Sequence, residues 1–195
     1  MPKIILASAS PRRREMLALF SFPLEIDAPV VDETPVPGLG PGALAEMLAE
    51  RKGASIVERR GDDDPVIAAD TIVVSGDEVL GKPTDTEDAE RMLRLLSGTD
   101  HEVVTGVAIW WDGKKQVFSV TSKVTFKLLK EKEIFDYIAT GEPMDKAGAY
   151  AIQGIGGFMV RSVTGSVSNV IGLPIAEVIT ALQEMGFLRG IKIDS

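Results

Sequence analysis

The stretch Ile4-Ile5-Leu6-Ala7-Ser8-Ala9-Ser10-Pro11-Arg12-Arg13-Arg14-Glu15-Met16-Leu17 constrains the fold more than any other. Its leading apolar residues read as a short buried strand, Ser-Ala-Ser turns the chain, and Pro11 stands where a helix of Met16, Leu17 and Phe20 begins. Ser10 fits the N-cap and Pro11 the first helical position, where a backbone amide would lack a partner anyway. Arg12, Arg13 and Arg14 in the first turn oppose the helix macrodipole by a few tenths to about 1 kcal/mol each, so an anion is expected beside them. Free amides, dipole and guanidinium forks on one spot make a phosphate site, and the competing reading is three solvated surface charges.

Composition bounds what such a site can serve. With 195 residues, 45% of them hydrophobic, the chain is long enough for a full core and is expected to form one domain over residues 1–195, two lobes staying open. It contains no cysteine, which excludes a disulfide framework, a thiolate nucleophile and a Cys-based zinc site. A reducing, cytoplasmic location is compatible with that. The run Ile4 to Ala7 is too short for a signal peptide and its basic residues follow rather than precede it. No run reaches the ~20 apolar residues of a membrane span, and a net charge of −8 argues against general nucleic-acid binding. Phosphate recognition must therefore be local.

Along the chain, Phe22 to Val31 reads as an extended segment broken by prolines, followed by Asp32-Glu33-Thr34-Pro35 and a Pro/Gly-rich loop from Val36 to Gly42. Leu44, Met47, Leu48, Ala54 and Val57 have helical spacing between Pro41 and about Arg60, with Glu50, Arg51 and Lys52 on the polar face, so Lys52 reads as a solvated helix charge. Val66 to Val74 is a buried strand interrupted by Asp70 and Thr71. A carboxylate inside such a strand costs several kcal/mol unless paired, hydrogen-bonded or on a metal, so Asp70 is the second pointer to a site; the plain alternative is a bond to a nearby backbone turn. Ser75-Gly76-Asp77 turns the chain back, and Lys82, between Gly81 and Pro83, sits on an exposed turn.

Thr86 to Leu96 is a helix; His101 to Trp111 and Gln116 to Lys127 form a hairpin about Asp112-Gly113, and Lys130 to Thr140 is another helix. The single histidine, His101, reads as structural or exposed rather than catalytic. Small residues separate Lys146 from Gln153, which lets backbone approach a ligand, but the spacing fits neither the Walker pattern nor the dinucleotide fingerprint. Phe158 to Val163 reads as a strand, Gly165 to Pro174 as a loop, Ile175 to Met185 as the last helix, and Gly190 to Ser195 as a frayed tail. Cations on turns (Arg12, Arg13, Lys82, Lys146), acids at strand ends (Glu33, Asp70, Asp145) and an amide among glycines (Gln153) are the inventory for metal-assisted chemistry on a phosphorylated small molecule. No Ser/His/Asp or Cys/His set competes with it.

The motifs Ser8-Ala9-Ser10-Pro11-Arg12-Arg13, Asp32-Glu33-Thr34, Ala69-Asp70-Thr71, Gly81-Lys82-Pro83, Asp145-Lys146-Ala147-Gly148-Ala149-Tyr150 with Gln153-Gly154, and Ser168-Asn169-Val170-Ile171-Gly172-Leu173-Pro174 resemble those of the Maf family, in order from Ile4 to Glu177. That family comprises nucleoside triphosphate pyrophosphatases also described as septum formation inhibitors. The resemblance implies an α/β fold with a mixed, strongly twisted central sheet flanked by helices, two lobes and a central cleft, related to the inosine triphosphate pyrophosphatases. It implies Asp70 as general base or metal-held activator of water, and Glu33 with Asp70 holding a divalent cation, Mg²⁺ or Mn²⁺. Ser8, Arg13, Lys52, Lys82 and Lys146 become substrate or phosphate ligands, which replaces the solvated reading of Lys52. Arg12, Thr71 and Gln153 fall at the specificity positions of the branch acting on dTTP and UTP, and a glutamine amide offers a pyrimidine edge both a donor and an acceptor. Two further readings stay open: a nucleotide-binding regulator of septum formation without catalysis, and a phosphatase releasing orthophosphate. The sequence does not decide between monomer and homodimer.

Overall fold

The computed structural model describes residues 3–34, 36 and 38–188. Pro35, the proline at 37 within the expected loop, and the tail Gly190 to Ser195 lie outside the described residues. The strands are β1 (Ile4–Ala7), β2 (Leu24–Ile26), β3 (Val66–Ser75), β4 (Glu78–Leu80), β5 (Asp100–Trp111), β6 (Lys114–Phe126) and β7 (Val160–Thr164). The helices are α1 (Pro11–Ala18), α2 (Pro41–Arg60), α3 (Thr86–Leu96), α4 (Glu131–Ala139), α5 (Val167–Ile171) and α6 (Ile175–Met185). The seven strands form one mixed sheet in the order β2-β1-β3-β5-β6-β7, with β4 on β3. Strand β1 pairs in parallel with β2 (Ile4 opposite Leu24) and β3 (Ile5 opposite Val66), while β4 and β7 run antiparallel to β3 and β6. This is the mixed α/β sheet with flanking helices that the motifs imply.

The chain divides into two compact units. The first comprises Met1–Asp70, Thr105–Val120 and Gly172–Ser195. Its core gathers Ile5, Ala7, Ile56, Val66 and Ala68, with Trp110 packed on them. Two glycines let α2 lie close to β5: a Cβ on Gly106 would meet the Ala45 backbone at 2.2 Å, and one on Gly53 would meet the Trp110 ring at 1.9 Å. Helix α1 starts as its residues dictate, with the Ser10 hydroxyl accepting from the Arg13 amide and Pro11 opening the helix. It ends at Ala18, so Phe20 lies beyond it, in a turn closed by its amide on Leu17 O.

The second unit comprises Thr71–Val104 and Thr121–Ile171. Its core packs α3 and α4 on strand residues Val73, Val103, Val124 and Phe126. Two segments here differ from the sequence reading. Ile155–Met159 is a 3-10 helix, so β7 begins at Val160, and the expected loop Gly165 to Pro174 contains α5. Helix α5 forms because Ser166 caps it, its hydroxyl accepting from the Asn169 amide and its carbonyl from that of Val170. Asn169 is fully buried and donates from Nδ2 to Val103 O and Ser122 Oγ, both at 3.0 Å. In its motif this asparagine is scaffold, fastening α5 to β5 and β6.

His101 lies in this core at 3% exposure, bonded through Nε2 to the Tyr150 hydroxyl at 2.8 Å and edge-on to the Phe126 ring. Burial pushes its pKa down to about 4, with the Asp100 charge opposing. The unfolded chain protonates the ring near pH 6.5. The folded state therefore binds fewer protons below that pH, and His101 withdraws stability as pH falls from about 6.5 to about 4. Urea unfolding at pH 7 and pH 4.5 is expected to show the wild type losing about 2 to 3 kcal/mol more than His101→Gln over that interval. Equal losses would mean that the ring does not govern acid stability.

Candidate functional site

Within the first unit, the turn after β1 and the start of α1 hold Arg13 in a buried position. Its Nε donates to Gly172 O at 2.7 Å and its Nη1 to Ser8 Oγ at 3.2 Å, while the same hydroxyl accepts from the Ser10 amide at 3.1 Å. Ser8, itself buried, thereby fixes both the turn and the guanidinium. Burial presses the Arg13 pKa down; Asp70 works against that shift, Arg12 adds to it and Glu33 opposes it. A guanidinium nonetheless stays charged at any physiological pH. Arg12 is half-buried and Arg14 exposed, so the solvated reading holds for one of the three arginines.

Asp70 on β3 is 8% exposed, and Lys52 on α2 is equally buried. The Lys52 ammonium donates to Asp70 Oδ1 at 2.5 Å and lies 3.1 Å from Glu33 Oε1. This corrects the expectation that Lys52 is a solvated helix charge: it lies on the buried face of α2 with Leu48, Ala49 and Ile56, and its contacts with Asp70 and Glu33 compensate the burial of its charge. Glu33 is presented by a closed turn in which Asp32 Oδ1 accepts from the Thr34 amide at 2.8 Å and from its hydroxyl at 2.5 Å. Those bonds hold the Asp32 carboxyl below its usual range, against its slight desolvation. Arg51 ties the turn to α2 through the carbonyls of Asp32 and Thr34. Ser8, Arg12, Arg13, Glu33, Lys52 and Asp70 are therefore all in the first unit, linked by hydrogen bonds or by mutual electrostatic effects.

Within the second unit, Thr71 follows Asp70 on β3, so its side chain points to the opposite face of the strand. Lys82 is exposed on the turn after β4, and the Gly148 amide donates to Gly81 O at 3.0 Å, which joins that turn to the segment carrying Lys146. Gly148 has φ +67°, and a Cβ there would meet Val73 at 2.9 Å, while Ala149 beside it is left-handed at φ +58°. Such backbone persists only where packing over-determines it, and here it seats Gly148, two residues after Lys146, against Val73 of β3. Lys146 pairs with its neighbour Asp145, and Gln153 stands exposed shortly before the 3-10 helix Ile155–Met159. The sequence reading missed Gly172 O as the anchor of Arg13; the two are 159 residues apart, and a carbonyl leaves no signature in sequence.

The donor set suits a divalent cation in one respect. Glu33 and Asp70 already turn oxygens toward a single cationic centre, the Lys52 ammonium. Among the described residues no group of three or more His, Cys, Asp or Glu converges to hold a metal ion. Two carboxylates with remaining positions left to phosphate oxygens and water is how Mg²⁺ is usually bound at nucleotide sites. Among the described residues no helix is long and apolar enough to cross a membrane.

A family model described as Maf-like protein matches residues 3–185. A protein named dTTP/UTP pyrophosphatase from Anaeromyxobacter dehalogenans is 49% identical over 190 residues, 95% of each chain. One of the same name from Geobacter sulfurreducens is 46% identical over 188 residues, 95% of this chain and 98% of that one. Among solved structures, the Staphylococcus aureus Ham1 protein aligns with a TM-score of 0.51 at 16% identity, over 94% of this chain and 99% of its own. A HAM1 protein from Coxiella burnetii aligns with a TM-score of 0.50 at 16% identity, over 94% and 100%. At that identity the structural likeness speaks for the fold alone.

Proposed function

The chain belongs to the Maf family, and from that premise we propose that it is a nucleoside triphosphate pyrophosphatase acting preferentially on dTTP and UTP. Water adds to the α-phosphorus, the bond from that phosphorus to the α,β-bridging oxygen breaks, and the products are a nucleoside monophosphate and pyrophosphate. The observation that carries the reading is Asp70, a carboxylate buried in an apolar strand and held 2.5 Å from the Lys52 ammonium beside Glu33. Apolar burial of a carboxylate is costly, and a chain that retains one needs its proton chemistry or its charge.

In this reading Asp70 accepts the proton of the attacking water as the new phosphorus–oxygen bond forms. Arg13, pre-set by Ser8 and Gly172, brings its guanidinium charge to the phosphate oxygens, and Lys52, Lys82 and Lys146 add positive charge where negative charge collects in the transition state. Arg12, Thr71 and Gln153 meet the nucleoside, and the whole chain acts as one functional domain. Glu33 and Asp70 would hold a divalent cation, which supplies charge neutralisation and a more acidic water.

Product analysis after incubation with Mg²⁺ or Mn²⁺ and separate samples of dTTP, UTP, CTP, ATP and GTP tests this. Monophosphate with pyrophosphate, fastest from dTTP and UTP, is expected. Diphosphate with orthophosphate would replace the reading by a phosphatase, and no turnover of any substrate by folded protein would leave a nucleotide-binding regulator.

A further inference from the structure

We propose that Glu142 is a positioning residue for base selection, holding the loop that carries Gln153; this rests on the reading above that Gln153 meets the base. Glu142 opens a 3-10 turn (Glu142–Asp145) directly after α4. Its Oε1 accepts from the Tyr137 hydroxyl and from the Gly156 amide, both at 2.9 Å, and its Oε2 accepts from the Ile155 amide at 2.9 Å. Ile155 and Gly156 are the first residues of the 3-10 helix that follows Gly154, and a glycine has no side chain to cap it. The carboxylate of Glu142 is thus a cap supplied from outside the helix, satisfying two amides that would otherwise face water or nothing.

Gly154 shows how tightly the carboxylate is seated. A Cβ on Gly154 would lie 2.4 Å from both Glu142 oxygens, so the residue after Gln153 must be glycine while Glu142 is in place. The carboxyl is ionised at neutral pH: burial opposes this, but the amides of Gly156 and Ile155, the Tyr137 hydroxyl and the charge of Lys146 hold its pKa below the ordinary range. Gln153 itself is exposed, and among the described residues its side-chain amide has no hydrogen-bond partner. Nothing on the side chain fixes where that amide sits. Its position follows from the backbone on which it stands, and that backbone is clamped through Glu142 to Tyr137 of α4.

The consequence concerns discrimination rather than rate. A site that reads a base by hydrogen bonds rejects a wrong edge only when its donor and acceptor are held in place. Steady-state kinetics on Glu142→Ala with dTTP and dCTP are expected to show the ratio of their kcat/KM values falling about tenfold. The loss should appear in KM for dTTP, with kcat within about threefold of wild type and inhibition by tripolyphosphate, which has no base, unchanged. Gly154→Ala, which displaces the carboxylate while leaving Glu142 present, is expected to do the same, and Glu142→Gln, which keeps one acceptor, to fall between. Gln153→Ala tests the premise separately: an unchanged ratio there removes Gln153 from base recognition. A lowered ratio in Gln153→Ala, beside wild-type ratios in cooperatively melting Glu142→Ala and Gly154→Ala, overturns the role of Glu142 alone. Weakened tripolyphosphate inhibition in proportion to KM would also overturn it, by making Glu142 a support of the phosphate site.

Discussion

Asp70→Asn is expected to lower kcat for dTTP by about a thousandfold, in the middle of the range for losing a general base. The substitution keeps the shape of the side chain and removes only its basicity and charge. Removing one partner of a fully buried ion pair typically costs about 3 to 5 kcal/mol. Here the cost should be smaller, because the Lys52 ammonium retains Glu33 at 3.1 Å and an asparagine oxygen still accepts from it. A folded, cooperatively melting protein with almost no turnover is the anticipated result, read from a urea titration and an initial-rate assay on one preparation. Unchanged turnover in that protein would remove Asp70 from the chemistry and leave its burial to the pair with Lys52 alone. Lys52 and Glu33 make the contrast informative. They share a contact with Asp70 but are assigned to charge, so their substitution should move KM and metal dependence at least as much as kcat.

What the sequence made legible was what local chemistry decides. The start of α1 follows from Ser10 and Pro11, and the bounds of α2, α3 and α6 follow from Pro41, Asp85 and Pro174 at their starts with a glycine or serine at their ends. Asp70 announced itself because a carboxylate in an apolar strand is a local contradiction. What stayed hidden depends on distant partners. Lys52 stands beside Glu50 and Arg51 in the sequence, yet it falls four residues from both Leu48 and Ile56 on the buried face of α2, and its partner Asp70 lies on a strand eighteen positions away. The 3-10 helix Ile155–Met159, whose last two residues the sequence reads as the start of a strand, stayed hidden because its cap, Glu142, lies thirteen residues earlier. Helix α5 differs: Ser166 before a run ending in Gly172 is a readable cap, outweighed by the glycine and serine content that marks loops.

Chelation is expected to abolish turnover, and Glu33→Gln to raise the Mg²⁺ concentration for half-maximal activity about tenfold or more. The two outcomes are linked by the position of Glu33. Its side chain is 53% exposed, so its contact with Lys52 contributes little to folding and Glu33→Gln should melt within about 1 kcal/mol of the wild type. Its role as a charge beside Asp70 is a different matter. Two carboxylates directed at one centre bind a divalent ion through the sum of their charges, and replacing one by an amide halves the charge that the protein contributes while leaving an oxygen in place. The deficit should therefore be recoverable at high metal concentration, with kcat approaching the wild-type value, whereas the deficit of Asp70→Asn should not be. An initial-rate titration with MgCl₂ at saturating dTTP separates the cases. Full activity in EDTA would exclude the metal role of both residues and make Lys52 the cation that these carboxylates exist to hold. Metal dependence with an unshifted Glu33→Gln curve would place the ion on Asp70 and substrate phosphates alone.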